Sequence, residues 1–226
     1  MTDSLPSAVA AVVCGRVPPE AASWLRESAA LSARSADAFR GAWSAAGRRL
    51  GRAPLALPTT DIGRLGRDGA AFALQTWATD ECGRGVLLAA ALSGLSPAEQ
   101  APLVAELYRT GEVRERQALL KWLAFLPDPQ RFVAVAVDAV RNSALPVLEA
   151  ITCGNPYPAA FFSEAAFNQM VLKALFNEIP LRRVLGLHER RGAELARMVD
   201  AYASERRAAG RQVPADAALV TGDLRA

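Results

Sequence analysis

The sequence predicts an all-α protein of stacked antiparallel helix hairpins, a solenoid of the HEAT or armadillo kind. Three observations carry that prediction. Alanine, leucine and arginine dominate the 226 residues and strand formers are sparse, a composition that favours helix over sheet. From Ser96 onward helix-start signals recur roughly every 15–20 residues, the spacing of short helices joined by tight turns. No segment sustains a heptad pattern, which argues against a coiled coil, and the tetratricopeptide signature is absent.

In chain order, residues 5–13 read as a short helix that Pro18-Pro19 breaks. Residues 20–50 are helical in composition, with a break expected between Ser32 and Ser35. Trp24, Leu25, Ala29, Leu31, Phe39 and Trp43 are their core candidates. Residues 51–58 read as a linker, and Thr60 or Asp61 as the cap of a short helical turn that ends at Gly66. A helix over 77–92 follows, capped near Thr76 or Thr79. In it Asp80 and Arg84 are four apart and pair on one face, and Asp80-Glu81 reads as surface charge.

Ser96-Pro97-Ala98-Glu99 is a helix start, with serine as N-cap, proline first and glutamate third; that helix ends near Thr110-Gly111. Another covers 112–125 and is closed by Pro127. Asp128-Pro129 opens one that reaches Asn142, and 143–152 forms one more. Beyond the central stretch come a short turn over 181–187, a charged helix over 192–209 stopped by Gly210, and a last short helix over 214–220. The whole is read as one helical domain over 1–226. Its parts are N-terminal helices and linker at 5–58, hairpins at 59–140, a helical core at 141–214 and a tail at 215–226.

The most unusual stretch runs from Cys153 to Arg183. Asn155-Pro156-Tyr157-Pro158 is expected to be neither helix nor central strand, because each proline removes a donor and drives its predecessor towards extended geometry. Ser163 reads as an N-cap and Glu164 suits the positive end of a helix that runs to Phe176. On it Phe161, Ala165, Asn168, Leu172 and Leu175 share a face by three-and-four spacing, so Asn168 falls in an apolar stripe. A buried amide needs partners, and the nearest free backbone is the 153–158 loop, which predicts a hydrogen-bonded clamp. Gln169, Lys173 and Asn177 form a polar stripe beside it, either a solvated edge or the floor of a pocket. Lys173 is one of only two lysines among 26 basic residues, the other being Lys121. Glu149 is its expected carboxylate partner.

Net charge is only +3, which does not demand nucleic acid or acidic lipid. Three scattered cysteines with no CxxC read as a reducing compartment without a disulfide framework. The N-terminal apolar run lacks a basic flank, and no run approaches the roughly 20 residues of a membrane span, so a cytoplasmic protein that does not span a membrane is expected. One histidine and three cysteines give no metal spacing, and there is no GxSxG and no phosphate-cradling glycine loop. No cofactor or metal is expected. His188, beside Glu189, Arg190 and Arg191, reads as exposed. The C-terminal arginines are interleaved with acids and read as a solvated face.

Asn155-Pro156-Tyr157-Pro158, the run from Asn168 to Phe176, Pro180-Leu181, Gly186-Leu187, the run from Glu194 to Met198, Glu205-Arg206 and the run from Ala208 to Arg211 resemble the EboA family of metabolite traffic proteins. Upstream, Trp77 with Asp80 and Arg84, Glu115, Arg141 and Glu149 add to the resemblance. Ser143, His188, Gly192 and Arg207 depart from the family's pattern. The resemblance implies a bacterial gene cluster that holds a membrane prenyltransferase-like protein and several hydrolase-like or sugar-enzyme-like proteins. That cluster moves a biosynthetic precursor of secondary metabolism towards the periplasm.

The leading expectation is a non-enzymatic carrier or scaffold that works with other products of that cluster. It would hold a small aromatic or prenylated metabolite, or a partner protein, against the surface of residues 141–190. The binding or structural candidates there are Arg141, Glu149, Asn155, Tyr157, Asn168, Gln169, Lys173 and Arg190. The alternatives are an enzyme that uses Lys173 or Glu149 as acid or base, and a HEAT-like nucleic-acid-binding protein resting on the C-terminal arginines; nucleic acid is not the expected partner.

Overall fold

The structure, a computed structural model, describes residues 4–65, 72 and 76–222. Among them all regular structure is helical, with one isolated antiparallel bridge, between Pro54 and Ala78. The chain divides into two compact units, 1–135 and 136–226.

The first unit holds α1 (Leu5–Cys14), α2 (Pro19–Ser32), α3 (Ala36–Leu50), α4 (Thr59–Arg64), α5 (Thr79–Ser93), α6 (Pro97–Thr110) and α7 (Val113–Trp122). The signals that open these helices are those of the sequence. Pro19 and Pro97 take first positions, where the missing N–H costs nothing. Ser35 caps α3 by accepting from Ala38 N at 3.2 Å, so the break expected between Ser32 and Ser35 is where α2 gives way to α3. Glu99 Oε2 reaches back to Ser96 N at 2.9 Å. Two 3₁₀ turns, Leu123–Phe125 and Pro129–Phe132, carry the chain out of α7.

Some expectations are corrected here. Pro58, not Thr60 or Asp61, precedes α4, and the expected end of that turn at Gly66 lies outside the described residues. The N-cap of α5 is Ala78 and not Thr76 or Thr79; its N–H donates to Glu81 Oε2 at 2.9 Å, the reciprocal half of a capping box. Leu25, Phe39 and Trp43 are core, but Leu31 is 56% exposed.

α5 is the axis of this unit. It packs on α1, α2, α3 and α7, and twelve of its residues, from Thr79 to Leu92, are buried. Helices of a solenoid touch only their sequence neighbours, whereas these gather around one. Two glycines permit the close approach. A Cβ on Gly85 would lie 1.7 Å from the Trp122 ring, and one on Gly83 would lie 2.0 Å from Leu50 Cδ1. Around that contact Phe72 stacks on Trp77 with centroids 4.3 Å apart, and Trp122 and Phe125 meet the pair at steeper angles.

α8 (Val133–Arg141) runs across the division between the units. The second unit holds α9 (Leu145–Thr152), α10 (Tyr157–Phe161), α11 (Glu164–Phe176), α12 (Leu187–Arg190), α13 (Ala193–Ala208) and α14 (Ala218–Thr221). α11 has the predicted bounds, and Ser163 Oγ accepts from Ala166 N at 3.2 Å as its cap. Tyr157 and Pro158, expected to be non-helical, open α10 instead. A proline in the first turn loses no helical hydrogen bond, and this one is buried with its neighbour.

Candidate functional site

The first unit contains a cluster of charge that reading the sequence places at the surface. Asp80 has no exposed area and Arg84 is 5% exposed. Arg84 Nη1 donates to Asp80 Oδ2 at 2.7 Å and its Nε to Trp43 O at 3.1 Å, which ties α5 to α3. Arg114, from α7, donates to the same carboxylate at 2.7 Å, and that hydrogen bond holds its guanidinium above the ordinary arginine pKa. Beside them Glu81 is buried and accepts from Lys121 Nζ at 2.7 Å, and Lys121 also donates to Thr76 O at 2.6 Å. Trp122 Nε1 donates to Glu81 O at 3.1 Å. Donors thus converge on both carboxylates, and the cluster fastens three helices together. Trp77, Asp80 and Arg84 also belong to the upstream part of the family resemblance.

Around α5 lies an apolar cleft of about 680 Å³, within the range of small-molecule sites. α1 contributes Leu5, Pro6, Ser7 and Ala10, and α2 contributes Leu25, Arg26 and Ala29. Val86, Ala89, Ala90 and Ser93 come from α5, and Phe125, Leu126 and Pro127 from the turn after α7. Small side chains at Ala10, Ala29, Ala89 and Ala90 leave the room. Phe125 joins the cleft to the aromatic cluster behind it. Among the described residues of the lining, Arg26 alone is charged. A smaller cleft of about 430 Å³ lies near the Arg40–Glu106 ion pair. In the second unit a polar one of about 500 Å³ is lined by Leu175, Arg182, Arg206 and Asp216, among others. No three His, Cys, Asp or Glu side chains gather to hold a metal among the described residues.

The eight residues singled out from the sequence lie in the second unit, and none lines these three clefts. Asn155 fastens the loop between α9 and α10. Its Nδ2 donates to Ala150 O at 2.9 Å, and its Oδ1 accepts from Tyr157 N at 3.0 Å. Gly154 N donates to Arg183 O at 2.7 Å. Tyr157 is fully buried, its ring 4.8 Å from that of Phe161, and burial pushes its phenol pKa up. Arg190 closes α10 by donating to Ala159 O at 2.6 Å and Phe162 O at 2.7 Å, with its guanidinium 4.8 Å from the Phe167 ring centre.

Asn168 is 2% exposed, as its place in the apolar stripe predicts, but it is not the clamp. Its Oδ1 has no hydrogen-bond partner among the described residues, because Asn155 already serves the loop locally. The buried face of α11 carries Phe167, Met170, Val171 and Ala174 with Asn168 and Leu175, while Ala165 is exposed and Leu172 half-buried. Lys173 does not meet Glu149 either. It donates to Asn142 O at 2.9 Å and so holds the turn between α8 and α9. Glu149 pairs with Arg183 at 3.2 Å, both partly exposed. Gln169 and Arg141 are exposed, and so is His188.

The cleft and the charge cluster carried weak signals. Gly83 and Gly85, five and seven residues beyond the Ala78 cap, announce close packing, which makes the neighbouring Asp80 and Arg84 interior rather than surface. Nothing in the spacing of residues 5–10, 25–29, 86–93 and 125–127 announces that they meet.

A family model described as metabolite traffic protein EboA matches residues 6–220. No curated protein matches the chain. No solved structure matches it.

Proposed function

The chain belongs to the EboA family of metabolite traffic proteins, and on that premise we propose that it is a non-enzymatic carrier or scaffold. It hands a secondary-metabolite precursor, aromatic or prenylated, towards the periplasm of a bacterium. It works from the cytoplasm with other products of its gene cluster, including a membrane prenyltransferase-like protein. Among the described residues no helix is long and apolar enough to cross a membrane, so in this reading a partner supplies the passage.

The apolar cleft around α5 supports the reading best. It offers hydrophobic area and hydroxyls, and none of its described lining residues carries a carboxylate or an imidazole. Asn155, Tyr157 and Arg190 then serve as the frame of the second unit, and the exposed Arg141 and Gln169 as candidates for partner contact.

The test is purification of the tagged protein in mild detergent from a host with the whole gene cluster and from one without it. The expected result is recovery of at least one other cluster product, and of a small molecule released by organic extraction that the second host does not yield. Incubated with the protein alone, that molecule returns unchanged. Recovery of neither overturns the proposal, and conversion of the molecule by the protein alone favours an enzyme.

A further inference from the structure

We infer that the cleft around α5 takes a single-chain anionic amphiphile, a carboxylate or phosphate on an apolar chain, with Arg26 receiving the head. The inference rests on the carrier reading and names its ligand class.

Among the described residues the lining is apolar except for three serine hydroxyls and one cation. Two of those hydroxyls are 3.0 Å apart, Ser4 Oγ and Ser7 Oγ, and Ser93 Oγ donates to Ala90 O at 2.7 Å. The Arg26 side chain is exposed and makes no hydrogen bond or ion pair with any of the described residues. Some other arginines of this unit do: Arg16 meets Asp61 at 2.6 Å, Arg40 meets Glu106 at 2.9 Å, and Arg84 and Arg114 share Asp80. Nor does its own helix neutralise it. The positions one turn away are Ala22, Ser23, Ala29 and Ala30, all uncharged. A guanidinium offers a flat fork of donors that matches carboxylate and phosphate oxygens. A neutral chain would leave that fork unused, and a cationic head would be repelled by it. An anionic head on an apolar body satisfies both parts of the site.

The test is calorimetric titration of the full chain with decanoate, decyl phosphate and 1-decanol, each below its aggregation threshold. The wild type is expected to bind both anions about ten-fold more tightly than the alcohol, the scale of one charge-assisted contact. Arg26→Gln is expected to remove that preference and leave the alcohol's affinity unchanged. Arg26 is exposed, so its folding is expected to be intact, and a thermal melt checks this. Ala90→Phe, which fills the cleft, is expected to weaken all three. Binding of the phosphate without the carboxylate assigns the head to phosphate esters, and the reverse assigns it to carboxylic acids; either supports the inference. Equal affinity for alcohol and anions in the wild type, or unchanged anion affinity in Arg26→Gln, overturns the head-group assignment while the carrier reading stands. Failure of all three to bind, or indifference to Ala90→Phe, overturns the cleft as the site. The carrier reading then depends only on what co-purifies.

Discussion

Asp80 and Arg84 stand one helical turn apart on α5, joined at 2.7 Å, with 0% and 5% of their surfaces exposed. A buried pair of this kind contributes little net stability relative to apolar residues of the same shape, but each partner depends on the other. Asp80→Ala leaves Arg84 buried without its counter-charge and is expected to cost about 3–5 kcal/mol. Arg114→Ala removes a cation whose side chain is 35% exposed and is expected to cost about 1 kcal/mol or less. Chemical denaturation of the two variants checks the contrast, and equal losses would show that the pair is not what fastens α5.

Gly85 faces the indole of Trp122 so closely that no side chain fits between them. The neighbour is a buried aromatic ring, not a flexible chain end, so it has no room to retreat. Gly85→Ala is expected to lose about 1–3 kcal/mol through overpacking, in spite of alanine's better helix propensity. A melting temperature at or above that of the wild type would refute the contact.

The two asparagines of the second unit are expected to respond in opposite ways. Asn155→Ala removes the hydrogen bonds to Ala150 O and from Tyr157 N made by a buried side chain and is expected to cost about 1–3 kcal/mol. Asn168→Leu removes an oxygen with no partner among the described residues and is expected to be neutral or stabilising. Equilibrium unfolding of both variants decides, and destabilisation by Asn168→Leu on the scale of Asn155→Ala would reinstate Asn168 as the clamp.

Burial pushes the Cys153 thiol from the ordinary 9.0 to about 11, with Arg183 pulling it down and Glu149 pushing it up more weakly. The fold therefore favours the neutral thiol. Its contribution to stability is fully present below pH 9 and is lost as pH rises through about 11. Alkylation of the native protein by iodoacetamide is expected to be slow at Cys153 at neutral pH and to rise steeply only towards pH 11. Cys82 is buried and its thiol is pushed up by desolvation and by the charge of Glu81, so it is expected to label only on unfolding. Peptide mapping by mass spectrometry reads both sites, and a plateau for Cys153 below pH 9 would contradict the shift.

The helix boundaries are legible in the sequence because they are set locally. Ser35, Ser163, Pro97 and Gly210 act through their own backbone neighbours, and each stands at the end of a helix. Burial of Asn155 and Asn168 is not local, but the amide in an apolar stripe and the proline-bound loop betray it. The pairings are where the reading fails. Glu149 could meet Lys173 or Arg183, and only the fold of the 181–183 turn selects the latter. Asp80 and Arg84 have the spacing of a surface pair on any lone helix, and they become interior only because α3 and α7 close over α5. The cleft depends on four separated segments and leaves no trace in any one of them.

Both lysines of the chain are engaged, Lys121 with Glu81 and the carbonyl of Thr76, Lys173 with the carbonyl of Asn142. Coupling to an amine requires an accessible nitrogen, and these two are each hydrogen-bonded on side chains that are partly covered. Lysine-directed cross-linkers will therefore find almost no purchase on the side chains of this protein, and a neighbour in the cell could be touching it and still escape such a map. Photo-activated or carboxylate-directed reagents, which have the many exposed glutamates to work on, are the chemistry by which its contacts can be caught.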